Sequence, residues 1–183
     1  MEPVFWILIA LVVILLFYAI SKRNGIVRSE NQVANAWSQI DVQLQRRGEL
    51  IPNLVETVKG YAAHEKGVFA AVSDARAAMV SAKGPAEKMK ASNALTATLG
   101  RLFAIAEAYP ELKANTNFLQ LQDELSHTEN KVAFARQAYN DAVTYFNNAI
   151  TVFPGSLFRG GRSKKEQLAV PEASKAVPKV SFA

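Results

Sequence analysis

The chain has 183 residues, of which half are apolar and a fifth are charged, and its formal net charge is +5. It contains no cysteine, which excludes disulfides, thiolate nucleophiles and cysteine-based zinc sites, and it has only two histidines, His64 and His127. Outside the apolar N-terminal segment about 160 residues remain, which suffices for one domain with a hydrophobic core.

Val4–Ile20 is a run of seventeen residues without a charged side chain. As a helix it spans about 25 Å, close to the minimum for crossing the hydrocarbon core of a bilayer. A cleaved signal peptide is the alternative, but Glu2 is the only charge before the run, and the run is longer than a usual signal core. We therefore expect a membrane anchor over residues 1–23. Its predicted membrane-spanning residues include Val4, Trp6, Leu11, Ile14, Tyr18 and Ile20.

The net charge is concentrated at the two ends of the chain. Residues 24–158 carry thirteen basic and thirteen acidic side chains, whereas residues 159–183 carry six basic and two acidic ones. A neutral body argues against nucleic acid as a partner, and basic ends favour an anionic lipid membrane. Lys22 and Arg23 follow the span and only Glu2 precedes it. The positive-inside rule then predicts an outer N-terminus and a cytoplasmic domain.

Apolar residues at helical spacing predict four long helices after the anchor. The first runs from about Arg28 to Arg47 and ends at Gly48, and it is either separate from the membrane helix or continuous with it. The second runs from about Leu50 to Ser81. A single helix that continues through Pro52 is the competing interpretation.

The third predicted helix, Ala86–Tyr109, ends before Pro110, because a residue that precedes proline avoids the helical region. The fourth has an N-cap at Asn115 or Asn117 and ends at Pro154. Its apolar stripe alternates spacings of three and four residues, which is typical of left-handed bundle packing. The stripe consists of Phe118, Leu121, Leu125, Thr128, Val132, Ala135, Tyr139, Ala142, Phe146 and Ala149.

Four amphipathic helices with short connections predict an all-α fold: one N-terminal transmembrane helix, then an antiparallel up-and-down helical bundle over residues 24–154. The fourth helix returns towards the membrane, so the basic and mostly extended tail, residues 155–183, is expected at the bilayer surface. A tail that is only solvated is the alternative. The predicted membrane-surface contacts are Lys22, Arg23, Leu157, Phe158, Arg159, Arg162, Lys164 and Lys165.

Residues suited to catalysis or metal binding are scarce. His64 begins a sequence like HExxH, but Val68 occupies the place of the second histidine. Glu124 and His127 form one Glu-x-x-His pair, whereas a di-iron bundle needs two, and Tyr61 stands where the second glutamate would be. We predict no catalytic residue, no metal and no cofactor, and hence no enzymatic activity.

Phe134 lies off the apolar stripe of the fourth helix, so packing within the bundle does not require it. An exposed phenylalanine on a long helix suits self-association or contact with a partner, and coverage by the tail is the alternative. We expect a homo-oligomer with Phe134 as a candidate contact.

Two long segments resemble the LemA family. They read AWSQIDVQLQRRGELIPNLVETVKGYAAHE over residues 36–65 and YPELKANTNFLQLQDELSHTENKVAFARQAYNDAVTYFNNAITVFP over residues 109–154, and the ending VPKVSF is also similar. Gly48 and the segment RGGRSKK depart from the family's pattern. The resemblance implies a membrane-anchored antiparallel helical bundle with an outward N-terminus, a cytoplasmic domain and no established enzymatic activity. It assigns no catalytic residues.

The resemblance also links the chain to bacterial membranes. Some members of the family are associated with building or remodelling internal membranes, including magnetosome formation, and others are encoded near membrane proteases. We therefore predict a non-enzymatic protein of the bacterial inner membrane that self-assembles and scaffolds or remodels the bilayer. The alternative is an adaptor or regulatory partner of a membrane protease or signalling protein.

Overall fold

The computed structural model describes residues 2–169, and every regular element in that range is helical. The predicted all-α class is confirmed. The membrane segment and the first soluble helix form one continuous helix, α1. The elements are α1 (Glu2–Lys59), α2 (Lys66–Ser81), α3 (Gly84–Ala108), α4 (Pro110–Lys113), α5 (Thr116–Thr151) and a 3-10 helix (Gly155–Phe158).

The contacts divide the chain into two units, and α1 and α5 contribute residues to both. We call residues 2–38 with 137–167 the anchor-bearing unit, and residues 39–136 with 168–169 the four-helix unit. The final residues, 170–183, which include the VPKVSF ending, lie outside the described part of the chain.

In the four-helix unit, parts of α1 and α5 pack with all of α2 and α3. Arg47 of α1 reaches Glu129 of α5. Just after the end of α1, Tyr61 accepts a hydrogen bond from Asn115, the residue before α5, so α1 and α5 run antiparallel. The core of this unit consists of apolar residues at helical spacing, and on α5 it includes the predicted stripe residues Phe118, Leu125 and Val132. Its members include Ile40, Leu44, Ile51, Leu54, Val58, Phe69, Val72, Met79, Met89, Leu95, Leu99, Leu102, Ala106, Phe118, Leu125 and Val132.

The predicted helix end at Gly48 is wrong, because α1 continues through Pro52. A proline in a helix has no N–H to donate to the carbonyl four residues earlier, and its ring crowds that carbonyl. Here that carbonyl belongs to Gly48, and the Nε–H of Arg76 on α2 donates to it over 2.6 Å. The orphaned acceptor is therefore satisfied by another helix, which lets α1 continue to Lys59.

The predicted second helix, Leu50–Ser81, is also wrong as a single element. Residues 60–65 form turns, with hydrogen bonds from Tyr61 and Ala62 to the carbonyl of Val58. Ala62 is buried within the turn. The reversal brings the apolar residues of α2 back onto the unit's core, and Gly60 is the one local signal for it.

In the anchor-bearing unit, the two long helices again run antiparallel. The rings of Trp37 and Tyr139 meet edge to face at 6.2 Å, and nearer the membrane segment Ile26 lies beside Ala149 around a shared cavity. On α5 the predicted stripe residues Tyr139 and Phe146 are buried, and Val143 and Ile150 are buried in place of the predicted Ala142 and Ala149, one residue later in each case. An α-helix drifts relative to a strict heptad repeat, which accounts for this shift.

Candidate membrane-interaction site

The apolar N-terminal part of α1 is not covered by protein. Within residues 2–169, α1 is the one helix that is long and apolar enough to cross a membrane. Every one of the predicted membrane-spanning residues, from Val4 to Ile20, has an exposed side chain. Leaving so many large apolar side chains in water costs about 25 cal/mol per Å² of surface, a cost that a bilayer removes.

A second apolar surface lies at the end of α5, in what we call the apolar turn: Val152, Phe153 and Leu157. Their exposed fractions are 61%, 76% and 71%, so these side chains contribute nothing to the core. Phe153 lines the same cavity as Ser21 and Lys22, which places the apolar turn directly beside the end of the membrane segment. Leu157 and Phe158 were predicted from the sequence as membrane-surface contacts, whereas Val152 and Phe153 were not. Phe158 is half-buried.

Four of the predicted surface cations are exposed on this unit: Lys22, Arg23, Arg159 and Lys164. The ammonium of Lys22 lies 5.4 Å from the centre of the Tyr18 ring, the last aromatic ring of the apolar segment. Aromatic rings and cations both favour the headgroup level of a bilayer. Exposed cations and apolar side chains are therefore neighbours here.

Arg162 and Lys165, the other two predicted cations, are paired with a carboxylate. The Nε–H of Arg162 donates to Glu30 over 2.7 Å, and Lys165 lies 3.8 Å from the same carboxylate. Lys165 also sits 5.4 Å from the centre of the Phe146 ring. The single carboxylate of Glu30 therefore offsets part of the charge of these two cations within the protein.

Residues 159–167, which we call the strap, are held along α5. Asn147 forms two hydrogen bonds of 2.9 Å with the backbone of Lys165, and the side chain of Gln167 donates to Thr144. The strap thus turns back from the end of α5 and follows it in the opposite direction. After a turn at Gly160 and Gly161, residues 162–167 have no regular secondary structure, and their attachment to α5 was not predicted from the sequence.

We expect the attachment of the strap to depend on pH through Glu30, the carboxylate that Arg162 and Lys165 share. The hydrogen bond from Arg162 lowers the pKa of Glu30 below its ordinary value of 4.5. Because the folded pKa is depressed, the stabilisation is complete above about pH 4.5 and is lost as the pH falls through the folded pKa. We expect the protection of the Lys165 amide against hydrogen exchange to fall in that acidic window.

The matched variant for this prediction is Glu30→Gln. It should lower the protection of the Lys165 amide at neutral pH and remove its change on acidification. The amide of Ala62, which bonds to Val58 in the other unit, serves as the internal control. Equal protection of Lys165 in the variant and the wild type would contradict a role for Glu30.

A cavity of about 530 Å³ opens between α1 and the end of α5 in the anchor-bearing unit. Ser21, Lys22 and Ile26 line it from α1, and Tyr145, Asn148 and Phe153 line it from the other side. Polar groups and apolar side chains thus share one concave surface immediately after the membrane segment.

Both histidines lie at exposed positions. Within residues 2–169, no three His, Cys, Asp or Glu side chains lie close enough together to hold a metal ion. His127 lies 3.4 Å from Asp123 on the helix surface, and Glu124 pairs with Arg46 at 2.7 Å. His64 is exposed in the turn between α1 and α2.

Arg47 is a buried charge that sequence analysis placed at a helix end. It is only 2% exposed, and its guanidinium donates to Ser92 and Thr96 and lies 3.5 Å from Glu129. Burial lowers the pKa of Arg47, and the carboxylate of Glu129 opposes that shift. The sequence indicates this burial, because position 47 continues the row of buried α1 residues formed by Ile40, Leu44 and Ile51.

Phe134 is 74% exposed on α5 in the four-helix unit, as its position off the stripe predicted. Residues 2–169 thus leave its ring open to solvent. Its predicted role in self-association stays a prediction.

Within residues 2–169 the protein is helical, its apolar N-terminal helix is uncovered, and an apolar and basic turn lies beside that helix. These features place it in the class of membrane-associated helical proteins. Comparison with known proteins gives the family: the model described as LemA family matches residues 36–182, and the chain belongs to this family. It is 27% identical over 158 residues to Protein LemA of Metamycoplasma hominis, covering 83% of this chain and 71% of that protein.

Magnetosome proteins are also among its relatives. The chain is 29% identical over 143 residues to magnetosome protein MamQ of Magnetospirillum gryphiswaldense and, with the same identity and length, to magnetosome protein MamQ 2 of Paramagnetospirillum magneticum. Each match covers 64% of this chain. The chain spans about half, 53%, of the length of each magnetosome relative.

Proposed function

We propose that the protein is a non-enzymatic, membrane-anchored helical protein that self-assembles and scaffolds or remodels the bacterial inner membrane. In this proposal Val4–Ile20 spans the bilayer, the N-terminus lies outside and the helical units lie in the cytoplasm. The kinship with the LemA family and the magnetosome proteins supports a membrane role.

The observation that carries the proposal is the apolar turn beside the anchor. Val152, Phe153 and Leu157 are exposed, and the cations Lys22 and Arg159 belong to the same unit. Apolar side chains beside cations bind the headgroup and acyl-chain boundary of anionic bilayers. Each copy would then hold the membrane by a span and by a shallow insertion. The shallow insertion enters one leaflet only, so many copies favour curvature.

Self-assembly would bring many of these shallow insertions together on one patch of membrane. The proposed contact between copies is Phe134. Its ring is exposed, whereas most large apolar side chains of the four-helix unit are buried. Covering a phenylalanine ring removes apolar surface worth about 2 kcal/mol from water. A contact between copies through this ring would join several anchors into one assembly.

The test uses the full-length protein in vesicles of phosphatidylcholine and phosphatidylglycerol, imaged by electron cryomicroscopy, with the native mass measured after gentle extraction. We expect oligomers and narrowed or tubular vesicles. Phe134→Ser should lower the native mass, and Leu119→Ser, a change at another exposed position of α5, should not. A monomer that leaves vesicle shape unchanged would refute the proposal. Purification with one defined second protein at fixed stoichiometry, without homo-oligomers, would support the adaptor function instead.

A further inference from the structure

The cavity of the anchor-bearing unit has the size and position of a ligand site. Its volume of about 530 Å³ falls within the range of roughly 300–1,000 Å³ that is usual for small-molecule pockets. The wall from α1 begins at Ser21, one residue after the apolar run ends at Ile20. Any molecule in this cavity therefore lies at the level where lipid headgroups meet the protein.

The lining of the cavity is chemically divided. Ile26 and Phe153 contribute apolar surface, whereas Ser21, Asn148 and Tyr145 contribute groups that can donate hydrogen bonds. Lys22 is the one charged side chain among the described lining residues, and no carboxylate accompanies it there. The cavity thus complements a molecule with a negative charge on an apolar body.

We propose that the cavity binds one anionic phospholipid from the surrounding bilayer. The phosphate lies beside Lys22 and Ser21, and the glycerol and the first methylene groups lie against Ile26 and Phe153. Free phosphate has no apolar part that could pack against Ile26 and Phe153. Phosphatidylcholine carries a choline cation, which the ammonium of Lys22 repels. This inference rests on the membrane anchoring in the proposed function and is independent of self-assembly.

Gly25 provides a variant that fills the cavity without disturbing the fold. It lines the cavity, and a Cβ atom built on it meets no atom within 4 Å. Replacing an interior helix glycine by leucine also improves helix propensity. Gly100→Leu is the matched control, because Gly100 lies within α3, also has open space around its Cβ position and does not line this cavity.

The experiment titrates the full-length protein, in a mild non-ionic detergent, with phosphatidylglycerol or phosphatidylcholine and counts bound lipids by native mass spectrometry. We expect one tightly bound phosphatidylglycerol per chain. Lys22→Gln should weaken it about fivefold, since a cation near a lipid surface contributes about that factor. Gly25→Leu should weaken it by at least about tenfold because it occupies the space. Gly100→Leu and Lys131→Gln should bind as the wild type does.

Equal binding by Gly25→Leu and the wild type would overturn the proposal, as would equal affinity for phosphatidylcholine or displacement by inorganic phosphate alone. The same variants are scored for vesicle shape and native mass. If Gly25→Leu loses the bound lipid but still remodels vesicles, the result supports the lipid site and leaves the proposed function standing. A monomeric wild type that still binds one lipid supports the site and refutes self-assembly.

Discussion

Serine at both Phe153 and Leu157 is expected to weaken binding to anionic vesicles by roughly 100-fold or more, measured on residues 21–183 without the membrane segment. Both side chains are exposed in the protein, so serine removes no core contact. Each apolar side chain that enters the bilayer boundary contributes about 2 kcal/mol, and about 1.4 kcal/mol corresponds to tenfold in affinity. Sedimentation with phosphatidylglycerol vesicles measures the loss.

The controls separate apolar insertion from charge. Val80→Ser combined with Leu119→Ser, two exposed positions of the four-helix unit, should leave binding unchanged. Arg159→Gln combined with Lys164→Gln should weaken binding by about fivefold per charge at low salt and much less at high salt. If the Phe153 and Leu157 double variant binds as the wild type does, the apolar turn is not a membrane contact.

Arg47 is expected to show opposite effects with two substitutions. Arg47→Ala should lower the free energy of unfolding by about 2–4 kcal/mol, because it deletes the buried side-chain stem and leaves a cavity. Arg47→Met should be neutral or stabilising by about 1–4 kcal/mol, because a methionine keeps the volume and removes a charge from the interior. Denaturant unfolding of the full-length protein in detergent measures both.

The surroundings of Arg47 explain the expected gain. Its Nε–H and the Oε1 of Gln43 are buried without a hydrogen-bond partner among residues 2–169. Thr96 keeps a bond to the carbonyl of Ser92, and Glu129 is half exposed, so neither is stranded when the guanidinium is removed. The hydroxyl of Ser92 is buried and loses its hydrogen bond from Arg47, which reduces the expected gain.

A third variant, Glu129→Gln, completes the test of Arg47. It should lower the free energy of unfolding, because Arg47 stays buried and loses the carboxylate beside it. Lys131→Gln, an exposed site on the same helix, should change little. If Arg47→Met proved as destabilising as Arg47→Ala, the charge itself would be shown to stabilise the fold.

The family, the fold class and most of the core were predictable from the sequence. Apolar residues at spacings of three and four recur along each helix, and on the fourth predicted helix this local periodicity identified Phe118, Leu125 and Val132 as core residues. Pro110 predicted the end of the third helix, since α3 ends at Ala108, two residues before this proline. These signals are local, so a single sequence suffices to detect them.

The candidate site was predicted less completely. Counting charges identified Arg159, Arg162, Lys164 and Lys165 as one basic cluster, but two of these four pair with Glu30, and the partner of Arg162 lies 132 residues away in the chain. No local pattern encodes such a pairing. The exposure of Phe153 was likewise hidden, because a phenylalanine beside a helix end is as compatible with a core as with a surface.

The sequence by itself determined that this protein has one apolar segment long enough for a membrane, a neutral helical body and basic ends. Those properties follow from composition and from periodicity along one helix. Only the tertiary structure decided that α1 passes through Pro52, since this depends on Arg76 of another helix. It also decided that Arg47 is buried and that the strap is tied to Glu30. In each case a polar group finds its partner far along the chain, and only the packing of the helices brings the two together.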